Sequence, residues 1–233
     1  MSNGEQIRAG HAIADGIASL FRPPFVVLLA ITILVPLAAD SLATVEGADL
    51  AIALLLIAVS FYVQIAATLA AGRATPERSA DMWIKAAWRH RCFWRVVWAT
   101  VVSTAALIGG LALAGIGIFF VGAVLALMQV AAILERRRPF DAAARSIALT
   151  KGHRVPVGIV FAVLFILPNF GAWAATLAEA PQRLGAVWAG LSVLVEVFGL
   201  AGTIALTRTF VALGGDATPA VLEPPPKVDA RVG

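Results

Sequence analysis

An ionisable residue in the middle of a long apolar run is a place where chemistry can happen, and the 233-residue chain has one. Glu196 stands at the centre of an otherwise uncharged stretch from about Ala186 to Leu206. A charge at the bilayer centre costs about 2.5–3.5 kcal/mol on insertion scales, so Glu196 is expected to face a bundle interior or a wet cavity. There it either exchanges a proton or contacts a ligand, or serves, protonated, as a strut between helices worth about 0.6–2 kcal/mol per contact. Gln64, Gln129 and Asn169 lie in other apolar runs and complete an expected intramembrane polar cluster. Pro36 and Pro168 each free a backbone carbonyl one turn earlier, which lines a cavity or kinks a helix. Other chemistry finds no residues. His11, His90 and His153 fall in separate segments without metal-ligand spacing. The single cysteine, Cys92, cannot form an internal disulfide and reads as packing. H-E-x-x-H, Walker and G-x-S-x-G patterns are missing. No enzyme activity, metal or cofactor is expected.

The elements that must position these residues are membrane spans. Apolar residues make up 60% of the chain and charged ones 14%, against about 45–50% and 25% in a soluble domain. A span needs about 20 residues to cross about 30 Å of hydrocarbon. Six segments qualify: about Pro24 to Thr44, Leu50 to Ala71, two within the uncharged run from Val96 to Leu134, about Val155 to Thr176, and about Ala186 to Leu206. The fourfold glycine cluster between Gly109 and Gly117 is the expected turn within the long run. Small residues four apart, Ala105/Gly109, Gly110/Ala114 and Gly122/Ala126, predict close helix approach in that hairpin. The fold class is therefore all-α, a polytopic bundle of six transmembrane helices. Residues 1–23 read as a cytoplasmic amphipathic segment with no cleavable signal, 24–207 as the membrane domain, and 208–233, with Pro224, Pro225 and Pro226, as a disordered tail.

Orientation follows from Lys and Arg. Of the 18 in the chain, all but Arg183 fall on one side of this threading, so that side and both termini are expected in the cytoplasm. The net charge of +4 and pI of about 10.0 point to anionic lipid headgroups rather than nucleic acid, because the basic residues flank the spans. The headgroup candidates are Arg91, Arg145, Lys151, His153 and Arg154. Both basic connections read as interfacial amphipathic helices. The first opens on Thr75-Pro76-Glu77 and pairs Asp81 with Lys85, its apolar face being Trp83, Ala86 and His90. The second pairs Asp141 with Arg145, shows Phe140, Ala144 and Ile147 on one face, and closes at Gly152. Trp94 and Trp98 anchor the start of the third span.

An internal repeat is also legible. Arg22, Pro24, Ala30 and Pro36 match Arg154, Pro156, Ala162 and Pro168 at an offset of 132 residues, and Arg91 and Ala99 keep the spacing of Arg22 and Ala30. Gln64-Ile65-Ala66-Ala67-Thr68-Leu69 is similar to Gln129-Val130-Ala131-Ala132-Ile133-Leu134, and the same offset carries Gln64 onto Glu196. Three tandem units of interfacial helix, outward span and return span would give this pattern, as would chance matching of alanine-rich spans.

Two family patterns bear on the second basic connection. Asp141 to Arg145 resembles the opening D-x-x-A-R of the CDP-alcohol phosphotransferase signature, but Arg154 and the lack of any Asp before Asp216 remove the carboxylates that would capture metal. The stretch from Leu134 to Gly152 resembles the membrane-domain family of glycerophosphoryl diester phosphodiesterases and related bacterial inner-membrane proteins. It carries their glutamate (Glu135), proline (Pro139) and A-x-x-R-S-x-x-L-T-x-G (Ala142, Arg145, Ser146, Leu149, Thr150, Gly152), with Arg136 where the family has glycine. In that family the hydrolase is a separate soluble barrel, which this chain lacks, so the resemblance implies an inner-membrane module without phosphodiesterase activity. The expected function is a non-catalytic module binding membrane lipids or partner proteins at the cytoplasmic face. The alternative is a small-solute or lipid transporter with Glu196 as its coupling group.

Overall fold

A computed structural model describes residues 8–42, 49–73, 79–89, 92–111, 116–171 and 185–216, and all regular structure among them is helical. In chain order the helices are α1 (Ala9–Ser19), α2 (Phe25–Leu42), α3 (Asp49–Ala71), α4 (Ala80–Arg89), α5 (Phe93–Leu111), α6 (Ile116–Leu125), α7 (Met128–Leu134) and α8 (Pro139–Thr150). Next comes α9, which starts as Arg154–Phe161, passes through a π-helical turn at Ala162–Ile166 and continues to Gly171. The last helix is α10 (Gly185–Ala212). With α6 and α7 counted as one stretch, Gly117–Leu134, a short helix followed by two longer ones occurs three times in order.

Five of these helical stretches are long and apolar enough to cross a membrane: Leu50–Ala71, Phe93–Gly110, Gly117–Leu134, Arg154–Gly171 and Gly190–Ala212. Such lengths and compositions are those of a multi-pass membrane protein. In α2, of 18 residues, the apolar helix described is Phe25–Val35. Surface composition agrees with lipid as solvent. Leu50, Leu54 and Leu55 of α3, Ile108 of α5, Phe120 of α6 and Leu167 of α9 are each more than half exposed, a density of apolar surface that water would not tolerate. Hydroxyls on the apolar helices satisfy themselves: Thr32, Thr68, Thr100, Thr203 and Thr207 each donate to the carbonyl four residues back, because lipid offers no partner.

The core sits at the basic end, where Lys and Arg gather. Val63 to Ala71, Leu127 to Leu134 and Leu200 to Leu206 supply most of the fully buried apolar residues, and Trp83 of α4 and Phe25 of α2 pack into the same cluster. Asp81 and Lys85 form the expected pair at 2.9 Å on the exposed side of α4, while Trp83 and Ala86 are buried. His90, the third residue of that face, lies outside the described residues. Tyr62 stacks on both Trp88 and Phe93, at 5.1 and 5.2 Å between ring centres, tying α3 to α4 and α5. Trp94 and Trp98 point outward, as belt anchors do.

Two expectations shift. Helix α10 runs on to Ala212, past the tail boundary read at 208, because Phe210 is fully buried and Arg208 is paired with Asp15 of α1. Helix α1 is therefore docked against α10: a Cβ on Gly16 would lie 2.7 Å from the Ala201 carbonyl oxygen. In α8, Phe140 and Ile147 do share a face with Ala144, but it is the exposed one, and Ala142, Ser146 and Thr150 are buried instead. The small, hydroxyl-bearing side of α8 faces protein and its aromatic side faces outward, the polarity expected when lipid is the surroundings.

Candidate functional site

Where α3, α7 and α5 approach each other, three neutral side chains form a chain of hydrogen bonds. Gln64 Nε2 donates to Gln129 Oε1 at 2.5 Å, Gln129 Nε2 donates to Thr100 Oγ1 at 3.0 Å, and Thr100 Oγ1 donates to the Val96 carbonyl at 2.9 Å. The chain closes one end of a cavity of about 730 Å³ between α5, α6 and α9. Leu206 of α10 joins that closed end, and the exposed residues Thr104, Asn169 and Phe170 mark the open side, away from the basic end.

The walls follow from local sequence. On α5 the residues facing the cavity are Thr100, Ser103, Thr104 and Leu107, the i, i+3, i+4, i+7 set of one helical face. That hydroxyl row belongs to the site although none of its residues stands out singly in the sequence, and its spacing in an otherwise apolar span is the signal for it. On α9, Phe161 and Phe165 stack at 5.5 Å, and each ring rests on a glycine. A Cβ on Gly122 of α6 would lie 2.4 Å from the Phe161 ring, and one on Gly202 of α10 would lie 2.3 Å from that of Phe165. Both rings are thereby pinned against the cavity. Pro168 accounts for the π turn before it: its missing N–H leaves the Leu164 carbonyl without a helical donor, and the backbone relaxes to the wider turn. Asn169, one residue on, donates to the Phe165 carbonyl at 2.8 Å.

The structure thus brings together Gln64, Gln129 and Asn169 around one cavity, and Gln64 and Gln129 in direct contact. Glu196 does not line it, and among the described residues it has no hydrogen-bond or ion-pair partner. Leu206, the α10 residue at the closed end, lies ten residues along, about 15 Å of helix. The step of a polar residue followed by two buried ones, Gln64-Ile65-Ala66 on α3 and Gln129-Val130-Ala131 on α7, recurs on α10 as Thr203-Ile204-Ala205, two turns beyond Glu196.

At the basic end the expected Asp141–Arg145 pair is replaced. Arg145 Nε donates to Glu135 at 3.0 Å and its Nη2 to the Gly214 carbonyl at 3.0 Å. Arg137 also binds Glu135, and the Asp216 backbone N–H donates to it at 3.2 Å. Glu135 sits where α7 ends and α8 folds back, which puts it closer to Arg145 than the helical neighbour is. Burial, the largest single effect on the Glu135 carboxyl, would raise its pKa, but the hydrogen bonds from Arg137, Asp216 and Arg145 and the Arg145 charge together hold it below the ordinary value. Ser146 Oγ donates to the Val124 carbonyl at 2.6 Å, one of the acceptors left open where α6 stops before α7. Arg136, where the resembled motif has glycine, takes a left-handed φ of 52° that glycine adopts freely. Gly152 (φ 90°) ends α8. The motif residues thus brace α6, α7, α8 and the end of α10.

Of the other headgroup candidates, Lys151 and Arg154 are exposed and His153 is half-buried, while Arg91 lies outside the described residues. Among the described residues no cluster of three His, Cys, Asp or Glu is placed to hold a metal. No family model, curated protein or solved structure matches the chain.

Proposed function

We propose that the chain is a non-catalytic six-span protein of the cytoplasmic (inner) membrane that binds an amphiphilic, lipid-like molecule in the cavity between α5, α6 and α9. The observation that carries this reading is the combination of apolar walls with an uncharged hydrogen-bonding floor, Gln64, Gln129 and Thr100, in about 730 Å³, a volume usual for small-molecule sites. Amides and a hydroxyl offer donors and acceptors to a neutral head group, and the apolar walls suit a hydrocarbon part. In this reading α2 is the sixth span, the basic end is cytoplasmic with both termini, and the chain is a membrane module akin to the phosphodiesterase membrane domains that residues 134–152 resemble. The recurring order of short helix and two long ones, with Gln64 against Gln129, supports three tandem units, Thr203 then taking the third place. Transport coupled through Glu196 draws no support from the cavity, whose lining does not include that residue.

Gln129→Leu tests the binding reading. Leucine keeps the volume but cannot bridge Gln64 to Thr100, so stability should fall by about 1 kcal/mol and the lipid retained in the cavity, read by native mass spectrometry, should drop about tenfold. Undiminished lipid in the variant would sink the proposal. Orientation is tested by thiol labelling. Burial pushes the Cys92 thiol up to about 11, against the pull of a backbone hydrogen bond and the Arg95 and Arg136 charges, so the native wild-type chain should not react. On that background, cysteines placed at Glu46 and Arg183 should label from outside intact cells and one at Arg78 should not; the reverse pattern would overturn the orientation.

A further inference from the structure

Helices α6 and α9 have a second shared face, turned away from the cavity. There Phe119 and Phe120 of α6 and Ile159 and Val163 of α9 wall an open groove of about 380 Å³. Its floor is shallowest in side chains at Gly158, where a Cβ would come within 3.0 Å of the Ala123 Cβ. Every residue lining this groove is apolar except Arg154, at its basic end. Arg154 is exposed and has no hydrogen-bond or ion-pair partner among the described residues, whereas the guanidiniums of Arg145, Arg137, Arg95 and Arg208 are all engaged by protein.

We propose that this groove is a specific site for an anionic phospholipid, one acyl chain lying between α6 and α9 and the phosphate bound by Arg154. Length and charge both select that occupant. From Arg154 to Val163 the groove runs nine residues, about 13 Å of helix, close to half of the roughly 30 Å hydrocarbon core. It is therefore one leaflet deep, and its charged end lies at headgroup level. A guanidinium with no carboxylate beside it is complementary to a phosphate oxygen pair, and basic pockets between spans at this depth hold acidic headgroups. A second copy of the chain is a poorer match: a symmetric pair in one membrane would set two Arg154 side chains at the same level across the seam with no acid in either groove. The site faces away from the cavity and does not depend on the ligand proposed there, though it does rest on the chain spanning a membrane.

The test uses the full-length chain in nanodiscs of equimolar phosphatidylcholine and phosphatidylglycerol, with retained lipid read by native mass spectrometry. The wild-type chain should retain phosphatidylglycerol over phosphatidylcholine. Arg154→Gln should lower that preference about fivefold, Arg154→Lys should keep most of it, and Ala162→Trp, which fills the groove, should lower retention itself. Arg89→Gln, on α4 away from α6 and α9, should change nothing. An unchanged preference in Arg154→Gln, or an equal loss in Arg89→Gln, would overturn the proposal. So would loss of the phosphatidylglycerol in Gln129→Leu, which would place that lipid in the cavity, or loss of a dimer rather than of lipid in Ala162→Trp. Should Arg154→Gln not insert, the wild-type chain still decides: phosphatidylglycerol with a photoreactive acyl chain should crosslink to residues 119–123 and 154–163. Crosslinks spread instead over the outer faces of α2 and α3 would exclude the site.

Discussion

Replacing Glu135 by alanine should destabilise the protein by about 2–3 kcal/mol, read as a lower midpoint in detergent-titrated unfolding. The side chain is only 7% exposed and accepts from Arg137, Arg145 and the Asp216 N–H, so its loss strands two guanidiniums and a backbone donor at once. Breaking a fully buried pair costs about 3–5 kcal/mol. The smaller figure applies because the Arg145 and Arg137 side chains are 29% and 42% exposed and water recovers part of the loss. The same carboxylate gives a pH signature. Its folded pKa is lowered below the ordinary 4.5, so its contribution is complete above that value and is lost as pH falls through the folded pKa. Wild-type stability should therefore drop on acidification below about 4.5, and Glu135→Gln, already weakened at neutral pH, should lose less over the same interval. Equal acid sensitivity in both would show that other carboxyls carry the effect.

Gly117→Ala should be at least as damaging. A Cβ at Gly117 would stand 2.3 Å from the Gly110 carbonyl oxygen, and one at Gly110 would stand 2.9 Å from the Gly117 carbonyl. The obstacle is backbone on both sides, so no rotamer change relieves it, and α5 and α6 must separate. Overpacking costs about 1–3 kcal/mol where side chains can yield. Here the loss should reach or exceed the top of that range, and because α5 and α6 both wall the cavity, lipid retention should fall with it. Gly109→Ala is the control. Nothing lies within 4 Å of its Cβ position, and alanine favours the helix by about 0.5–1 kcal/mol over glycine, so that variant should be neutral or slightly stabilised. Similar losses in both would mean that the hairpin is sensitive to any substitution and that the crossing does not hold it.

Helix α5 ends at Leu111 and α6 begins at Ile116, within the bounds expected for the turn between Gly109 and Gly117, whose residues 112–115 lie outside the described residues. The spacing of small residues four apart pointed to close approach, but not to Gly110 meeting Gly117 or to Gly122 taking the Phe161 ring. The likeness of Gln64-Ile65-Ala66-Ala67 to Gln129-Val130-Ala131-Ala132 reached further, because the two glutamines are in contact. Its extension to Glu196 rested on a constant offset, and that residue lies outside the cavity lining. Helical spacing alone pairs Arg145 with Asp141. Its actual partner, Glu135, is ten residues back across the bend between α7 and α8, a geometry that no single-helix rule contains.

The division has a physical cause. Hydropathy and charge belong to each segment by itself, so the sequence alone determined five segments that are apolar helices of spanning length, that one end of the molecule is basic, and that α4 and α8 are helices. A span that is apolar all round carries no signal for which side meets its neighbours, and helices in lipid associate through close packing and a few polar contacts rather than through hiding apolar surface from water. Only the tertiary structure could decide that the hydroxyl row of α5 faces the two glutamines, that aromatic rings of α9 rest on glycines of α6 and α10, and that Arg154 is left at the head of an apolar groove.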